Sequence, residues 1–170
     1  MVKKADSILI LSTGGTFNKI YDPLTGELKV DSGESALESL ASKWLCRLEW
    51  ITLIGKDSLE MDDRDRKEIL RTIRENPGRK ILVIHGTDTM ERTARYLAER
   101  IGERSIVLTG AMIPYSIDPV EATANFALGL GYLLGSDRPG VYLAMHGQVS
   151  PWNRLTKNRT LGRFQPAEAF

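Results

Sequence analysis

The chain has 170 residues, 42% of them hydrophobic and 26% charged, with a formal net charge of +1. This is the balance of one globular domain, and it excludes a charge field strong enough to draw nucleic acid or an anionic membrane. Cys46 is the only cysteine, which excludes an intramolecular disulfide and a thiolate zinc site. Among the apolar neighbours of "SKWLCRLEW" it reads as an inert buried thiol. No apolar run approaches the ~20 residues of a membrane span. "MVKKADSILILS" passes from basic residues into an apolar run without a small-residue cleavage site. It therefore reads as a first strand rather than a signal peptide, and the expected location is cytoplasmic.

In chain order, Ile8–Leu11 is a first buried strand that breaks at Thr13-Gly14-Gly15-Thr16. "FNKIYDPLTGEL" follows as a loop or hairpin, with Asp22-Pro23 and Thr25-Gly26 as turn signals. Ser35–Leu45 reads as a helix and Trp50–Ile54 as a second buried strand. Asp62–Asn76 carries Ile69, Leu70 and Ile73 on one face and charge on the others, and stops at Asn76-Pro77-Gly78. After the strand Ile81–Ile84, the helix Asp88–Ile101 opens on "DTME", with Asp88 and Glu91 at capping-box spacing. The strand Ile106–Leu108 precedes the helix Pro119–Gly135, with Asp118 as N-cap, Pro119 at N1 and Glu121 at N3. The glycines of "GLGYLLG" suit close packing. Val141–Met145 is the fifth strand. Ser150–Phe170 has no clear period and carries Arg154, Lys157, Arg159 and Arg163, which reads as a solvated basic tail. Alternating strands and helices predict a single three-layer α/β/α domain over residues 1–170, Rossmann-like in the flavodoxin sense, with a mostly parallel sheet.

Ligands of such sheets bind beyond the carboxyl ends of the strands. The segments found there are "STGGT", "GKDSLEM", "HGTDT", "TGAMIP" and "HGQVSPWNRLTK". Hydroxyls, carboxylates and glycines gather on one edge. The glycine turn is neither a Walker loop nor a dinucleotide fingerprint, and no helix pattern follows it to bind phosphate. Its glycines let the backbone bend sharply and expose the Thr13 and Thr16 hydroxyls. In "HGTDT" the commoner role of Thr87 or Asp88 is to cap the next helix. The alternative is a second reactive hydroxyl at Thr87 beside a carboxylate. His85 reads as a satisfied strand-end residue, with nothing to pair it with His146. Lys157 is either solvated or, if buried near a threonine, a group able to take its proton.

"TGGT", "HGTDTM", "TGAMIP" and the "TK" of Thr156-Lys157, in that order from Ile8 to Lys157, resemble the bacterial-type asparaginase/glutaminase family. In particular the chain is similar to the short, single-domain asparaginases that lack the C-terminal domain of long members. The resemblance implies hydrolysis of L-asparagine to L-aspartate and ammonia, with minor glutaminase activity and no metal or organic cofactor. It implies Thr16 as nucleophile, Tyr21 as its assistant, and Thr87, Asp88 and Lys157 as a second catalytic group. Ser58 would hold the substrate α-carboxylate, Asp88 its α-ammonium, and the Ala111 carbonyl the leaving amide nitrogen. Gly15, Asp57, Leu59 and Gly86 would complete the substrate contacts, with backbone N–H groups around Gly15 and Thr87 facing the oxyanion. Leu59 stands where many long members have glutamine, and their acidic residue from a partner's C-terminal domain has no counterpart here; Lys19 and Glu60 are the charged neighbours left to compensate. Two other readings follow: an amino-acid-binding domain without efficient turnover, and an amidase on a peptide- or tRNA-linked amide, which the net charge disfavours. A homodimer or homotetramer is expected, to cover apolar surface.

Overall fold

Five segments pair in parallel because each is an apolar run joined to the next by a connection long enough to cross over. The computed structural model of the chain describes residues 7–44 and 48–168; Cys46, and with it the expectation of a buried thiol, lies outside the described residues. The strands are β1 (Leu9–Gly14), β4 (Glu49–Lys56), β5 (Lys80–Ile84), β6 (Ser105–Thr109) and β7 (Gly140–Met145), with β8 (Gln148–Pro151) antiparallel at one edge. The order β4-β1-β5-β6-β7-β8 makes the first five strands a 2-1-3-4-5 sheet, the flavodoxin-like order. Strand order reverses between β1 and β5, so the crevice for a ligand lies beyond Gly14 and Ile84.

Alternate strand residues point to opposite faces. Leu9, Leu11, Ile81, Val83, Ile106 and Leu108 pack against α2 (Asp63–Glu75) and α3 (Met90–Ala98). Ile10, Leu82, Ile84 and Val107 pack against α1 (Ser35–Ala41) and α4 (Pro119–Gly135). The three layers are thus α/β/α, as the alternation predicts. α4 spans the predicted residues, capped by Asp118 through the Val120 N–H at 3.0 Å. In α4, Gly129 permits a close approach to the sheet: a Cβ there would stand 2.8 Å from Leu82 Cδ1, so the leucine side chain would have to shift. α2 carries a reciprocal cap between Asp62 and Asp65. Among the described residues no helix is long and apolar enough to cross a membrane.

Three expectations are corrected. The second strand is not buried: β4 forms the sheet edge, and Ile51 is 39% exposed. Its apolar residues cover only one neighbour, β1. Asp88 does not cap α3, whose N-cap is Thr89 with no side-chain cap bond; cations hold the Asp88 carboxylate elsewhere. Over its described residues, 150–168, the last stretch is no solvated tail: β9 (Leu155–Asn158) and β10 (Arg163–Pro166) form a hairpin anchored by buried Leu155 and Phe164. Two four-residue strands joined by a four-residue turn are too short for alternation to stand out. "FNKIYDPLTGEL" resolves as the hairpin β2 (Lys19–Asp22) and β3 (Glu27–Val30).

Candidate functional site

Three glycines bring the site loops into backbone contact. Gly14 and Gly15 have φ of +102° and +79°, a region that L side chains rarely adopt, and they turn the chain out of β1. A Cβ on Gly15 would lie 2.5 Å from Gly86 Cα, and one on Gly86 would lie 2.6 Å from Ser58 Cβ and Oγ. The turn after β1, the loop after β5 and the loop after β4 are therefore stacked with no room for a methyl group between them. The two threonines of "TGGT" separate here. Thr13 is fully buried and donates to Ile84 O at 2.8 Å, so its hydroxyl is structural and not exposed as the glycine turn suggested. Thr16 is partly exposed at the head of a single 3-10 turn, Thr16–Asn18, and its hydroxyl is unbonded among the described residues.

Below the loop after β5 lies a buried chain of donors. Arg66 Nε donates to Thr93 Oγ1 at 3.2 Å, and Thr93 Oγ1 is 2.8 Å from His85 Nε2. His85 Nδ1 is 2.7 Å from Gly86 O. Because a carbonyl only accepts, Nδ1 carries the proton and Nε2 accepts from Thr93. Burial pushes the His85 pKa down to about 4, the bond to Gly86 O opposing this and the Arg66 charge adding to it. A neutral histidine thus holds the carbonyl immediately before Thr87. His85 and His146 do not pair: His146 Nε2 meets Glu121 at 2.9 Å.

Above that loop, Lys157 on β9 donates to Thr87 Oγ1 at 2.8 Å and to Asp88 Oδ1 at 2.9 Å. Thr87 is 5% exposed. Arg159, two residues on in the turn after β9, also binds the Asp88 carboxylate, and its Nη2 donates to Asp88 O at 2.8 Å. Burial alone would raise the Asp88 pKa, but the Lys157 and Arg159 bonds outweigh it and hold the carboxyl below its ordinary value. Glu91 fixes the strand that carries these cations, accepting from Thr156 Oγ1 and Lys157 N–H, each at 2.9 Å. The "DTME" acids therefore serve β9 rather than the helix start.

After β4, Asp57 caps a short turn through the Leu59 N–H at 3.1 Å and pairs with Lys19 Nζ at 2.5 Å. Burial raises the Asp57 pKa and the bonds from Lys19 and the Leu59 N–H lower it, with a net depression. Ser58 is buried; its Oγ accepts from Thr89 N–H at 3.3 Å, which leaves its own proton to donate. Leu59 is 69% exposed. The loop after β6 is tied to the same place: Tyr115 N–H donates to Phe17 O and Ser116 Oγ to Lys19 O, while Glu121 accepts from Met112 and Ile113 N–H groups. Ala111, in that loop, is buried.

The structure thus brings together Gly15, Ser58, Gly86, Thr87, Asp88 and Lys157. It does not seat Tyr21, which lies on β2 with 61% exposure and a hydroxyl that makes no hydrogen bond among the described residues. The Gly15 N–H, expected to face an oxyanion, is taken by Lys56 O at 2.9 Å. The Thr87 N–H has no partner among the described residues and remains available. Sequence reasoning missed Arg159 and Glu91; the i, i+2 spacing of Lys157 and Arg159 is the signal that could have found the first. A hollow of about 470 Å³ lined by Glu91, Trp152, Leu155 and Thr156 borders this site but holds neither Thr16 nor Ser58. The loops after β1, β4 and β5 thus present one free hydroxyl, a lysine-bound hydroxyl and a buried serine with a proton left to donate, a set of groups able to attack a polar carbonyl.

The family model described as Asparaginase, N-terminal, matches residues 7–165. The probable periplasmic L-asparaginase of Haemophilus influenzae is 30% identical over 169 residues, covering 91% of this chain and 47% of that protein. The thermostable L-asparaginase from Thermococcus kodakarensis superposes with a TM-score of 0.81 at 26% identity, over 94% of this chain and 51% of that one. The probable cytoplasmic L-asparaginase from Campylobacter jejuni shares the fold with a TM-score of 0.78 at 22% identity, over the same shares of the two chains. The chain spans about half the length of these relatives.

Proposed function

Because the chain belongs to the asparaginase family, matching its N-terminal domain over residues 7–165, we propose that it is an amidohydrolase of ω-amides that converts L-asparagine to L-aspartate and ammonia. The observation that carries this reading is the Lys157–Thr87–Asp88 hydrogen-bonded group, set across a glycine-only contact from the free Thr16 hydroxyl. In the proposed reaction Thr16 Oγ bonds to the amide carbon and its proton passes through the Thr87 hydroxyl towards the amide nitrogen, while the Lys157 ammonium stabilises the charge on the relaying oxygen. The C–N bond breaks, the nitrogen takes a proton and ammonia leaves, and an ester on Thr16 remains. Water then adds to that ester and the acid departs, returning the proton to Thr16. The unpaired Thr87 N–H faces the oxygen on which charge develops, and Ser58 donates to the substrate α-carboxylate.

Ammonia release from L-asparagine, followed by a coupled assay, tests the reading. The wild type should release ammonia and Thr16→Ala should not, with an unchanged far-ultraviolet spectrum and melting curve. Undiminished release from Thr16→Ala would remove Thr16 as the nucleophile. A second reading, amino-acid binding with little turnover, is favoured by the exposed position of Tyr21. Saturable heat of aspartate binding without ammonia release would select it.

A further inference from the structure

Met145 and Gln148 pair across a two-residue turn, His146-Gly147, in which both residues have positive φ, +49° and +79°. Hairpin turns of this kind favour Asn-Gly or Asp-Gly, whose short polar side chain tolerates the left-handed region. Turn chemistry alone does not call for histidine here. The ring, however, is engaged at both nitrogens. Phe164 N–H donates to His146 Nδ1 at 3.1 Å, so Nδ1 is bare, and Nε2 carries the proton that it donates to Glu121 Oε1 at 2.9 Å. The neutral imidazole is thus an acceptor at one end and a donor at the other, in one rigid plane.

The two partners lead to the two groups that the reaction must hold together. Phe164 stands directly opposite Lys157 in the β9–β10 ladder, and so fixes the strand from which Lys157 reaches Thr87. Glu121 accepts from the Met112 and Ile113 N–H groups, each at 2.9 Å, in the loop after β6. That loop in turn supports the Thr16 turn: Tyr115 N–H donates to Phe17 O at 3.3 Å, and Ser116 Oγ to Lys19 O at 2.7 Å. A second strut runs beside the ring. His146 N–H donates to Asn125 Oδ1 at 2.9 Å, and Asn125 Nδ2 donates to Gly110 O at 3.0 Å, just before the same loop. Asn125 and Phe164 are each only 2% exposed, so a bond lost there has little water to replace it.

We propose that His146 is a positioning residue that ties the Thr16 turn to the Lys157 strand, its two ring nitrogens forming the ends of the link. The proposal rests on the hydrolytic reading only for the use made of that link; the link itself is readable without turnover. Two substitutions divide the ring's functions. His146→Asn suits the turn and keeps an acceptor near the Nδ1 position, but has no donor that reaches Glu121. His146→Gln keeps an N–H near the Nε2 position and loses the acceptor for Phe164 N–H.

The test combines imidazole nitrogen NMR of the wild type with amide hydrogen exchange and ammonia release from L-asparagine on both variants. The spectra should show a bare Nδ1 and a protonated Nε2 on His146; a proton on Nδ1 alone at neutral pH overturns the proposal. Exchange should rise at least about tenfold at Met112 and Ile113 in His146→Asn, and at Phe164 in His146→Gln, with the other end unchanged in each. In both variants kcat should fall by about 10–10²-fold, with KM within about threefold of wild type and the melting temperature of His146→Asn not lowered. In a Lys157→Met background His146→Gln should cost no further kcat, because it acts through Lys157. Unchanged exchange at both ends overturns the proposal, as does wild-type kcat in both variants alongside Thr16-dependent release by the wild type; the second result leaves the hydrolytic reading intact. No release by the wild type, with the divided exchange pattern present, refutes the hydrolytic reading and leaves the link standing. Should His146→Gln fail to fold, His146→Asn decides: faster exchange at Met112 and Ile113 with lowered kcat supports the link, and unaltered kcat overturns it.

Discussion

Lowering the pH from 7 to 4.5 should destabilise the fold through His85 before most carboxylates respond. The ring is fully buried, its Nε2 accepts from Thr93, and its pKa is depressed to about 4. In the unfolded chain the same imidazole titrates near its ordinary value of about 6.5. Between those values the unfolded state binds the extra proton, so stability is complete above about pH 7 and falls as pH falls. Integrating the difference from pH 7 to 4.5 gives a loss of roughly 2 kcal/mol from this one group. Urea unfolding of the wild type and His85→Asn at pH 7, 5.5 and 4.5 reads the effect. Asparagine keeps an N–H near the Nδ1 position and does not titrate, so the variant retains a donor for Gly86 O. Asp57 and Asp88, with depressed pKa values, contribute stability present above the ordinary carboxylate range and lost only at lower pH, and they do so in both proteins. The wild type should therefore lose about 2 kcal/mol more than the variant across this interval. Parallel losses in the two proteins would show that His85 is protonated, or hydrated, in the native state. Because His85 holds the carbonyl before Thr87, ammonia release should also fall with pH more steeply in the wild type.

Gly86→Ala places a methyl group 2.6 Å from Ser58 Oγ, about 1 Å inside contact distance. The Ser58 turn must retreat by about that much, and kcat/KM should fall by on the order of 10²-fold, with a stability loss of about 1–3 kcal/mol; steady-state ammonia release and urea unfolding check both, and an unaltered kcat/KM refutes the stacking. Lys157→Met retains much of the side-chain volume and removes the bonds to Thr87 and Asp88. Its kcat should drop by about 10²–10³-fold, and near-wild-type turnover would exclude Lys157 from stabilising the charge that develops in the attack.

The layer order, the four helices and the sheet edge at which hydroxyls, carboxylates and glycines gather were legible in the sequence, because apolar period and capping act over a few residues. Pro119–Gly135 and the cap at Asp118 are such local facts, as are the glycines that turn the chain out of β1. Asp88 marks where that legibility stops. Its spacing to Glu91 is that of a helix cap, yet its carboxylate binds Lys157 and Arg159, 69 and 71 residues away. A pair of full charges brought together by the β9–β10 hairpin outcompetes a backbone N–H for that carboxylate. Thr13 and Thr16 show the same division. The local sequence puts both beside the glycines, but only the packing of β1 against β5 puts one hydroxyl on Ile84 O and leaves the other free. The sequence by itself determined which residue types stand at the sheet edge. The tertiary structure decided their partners, because charge pairing and hydroxyl burial depend on distances between segments that no local pattern contains.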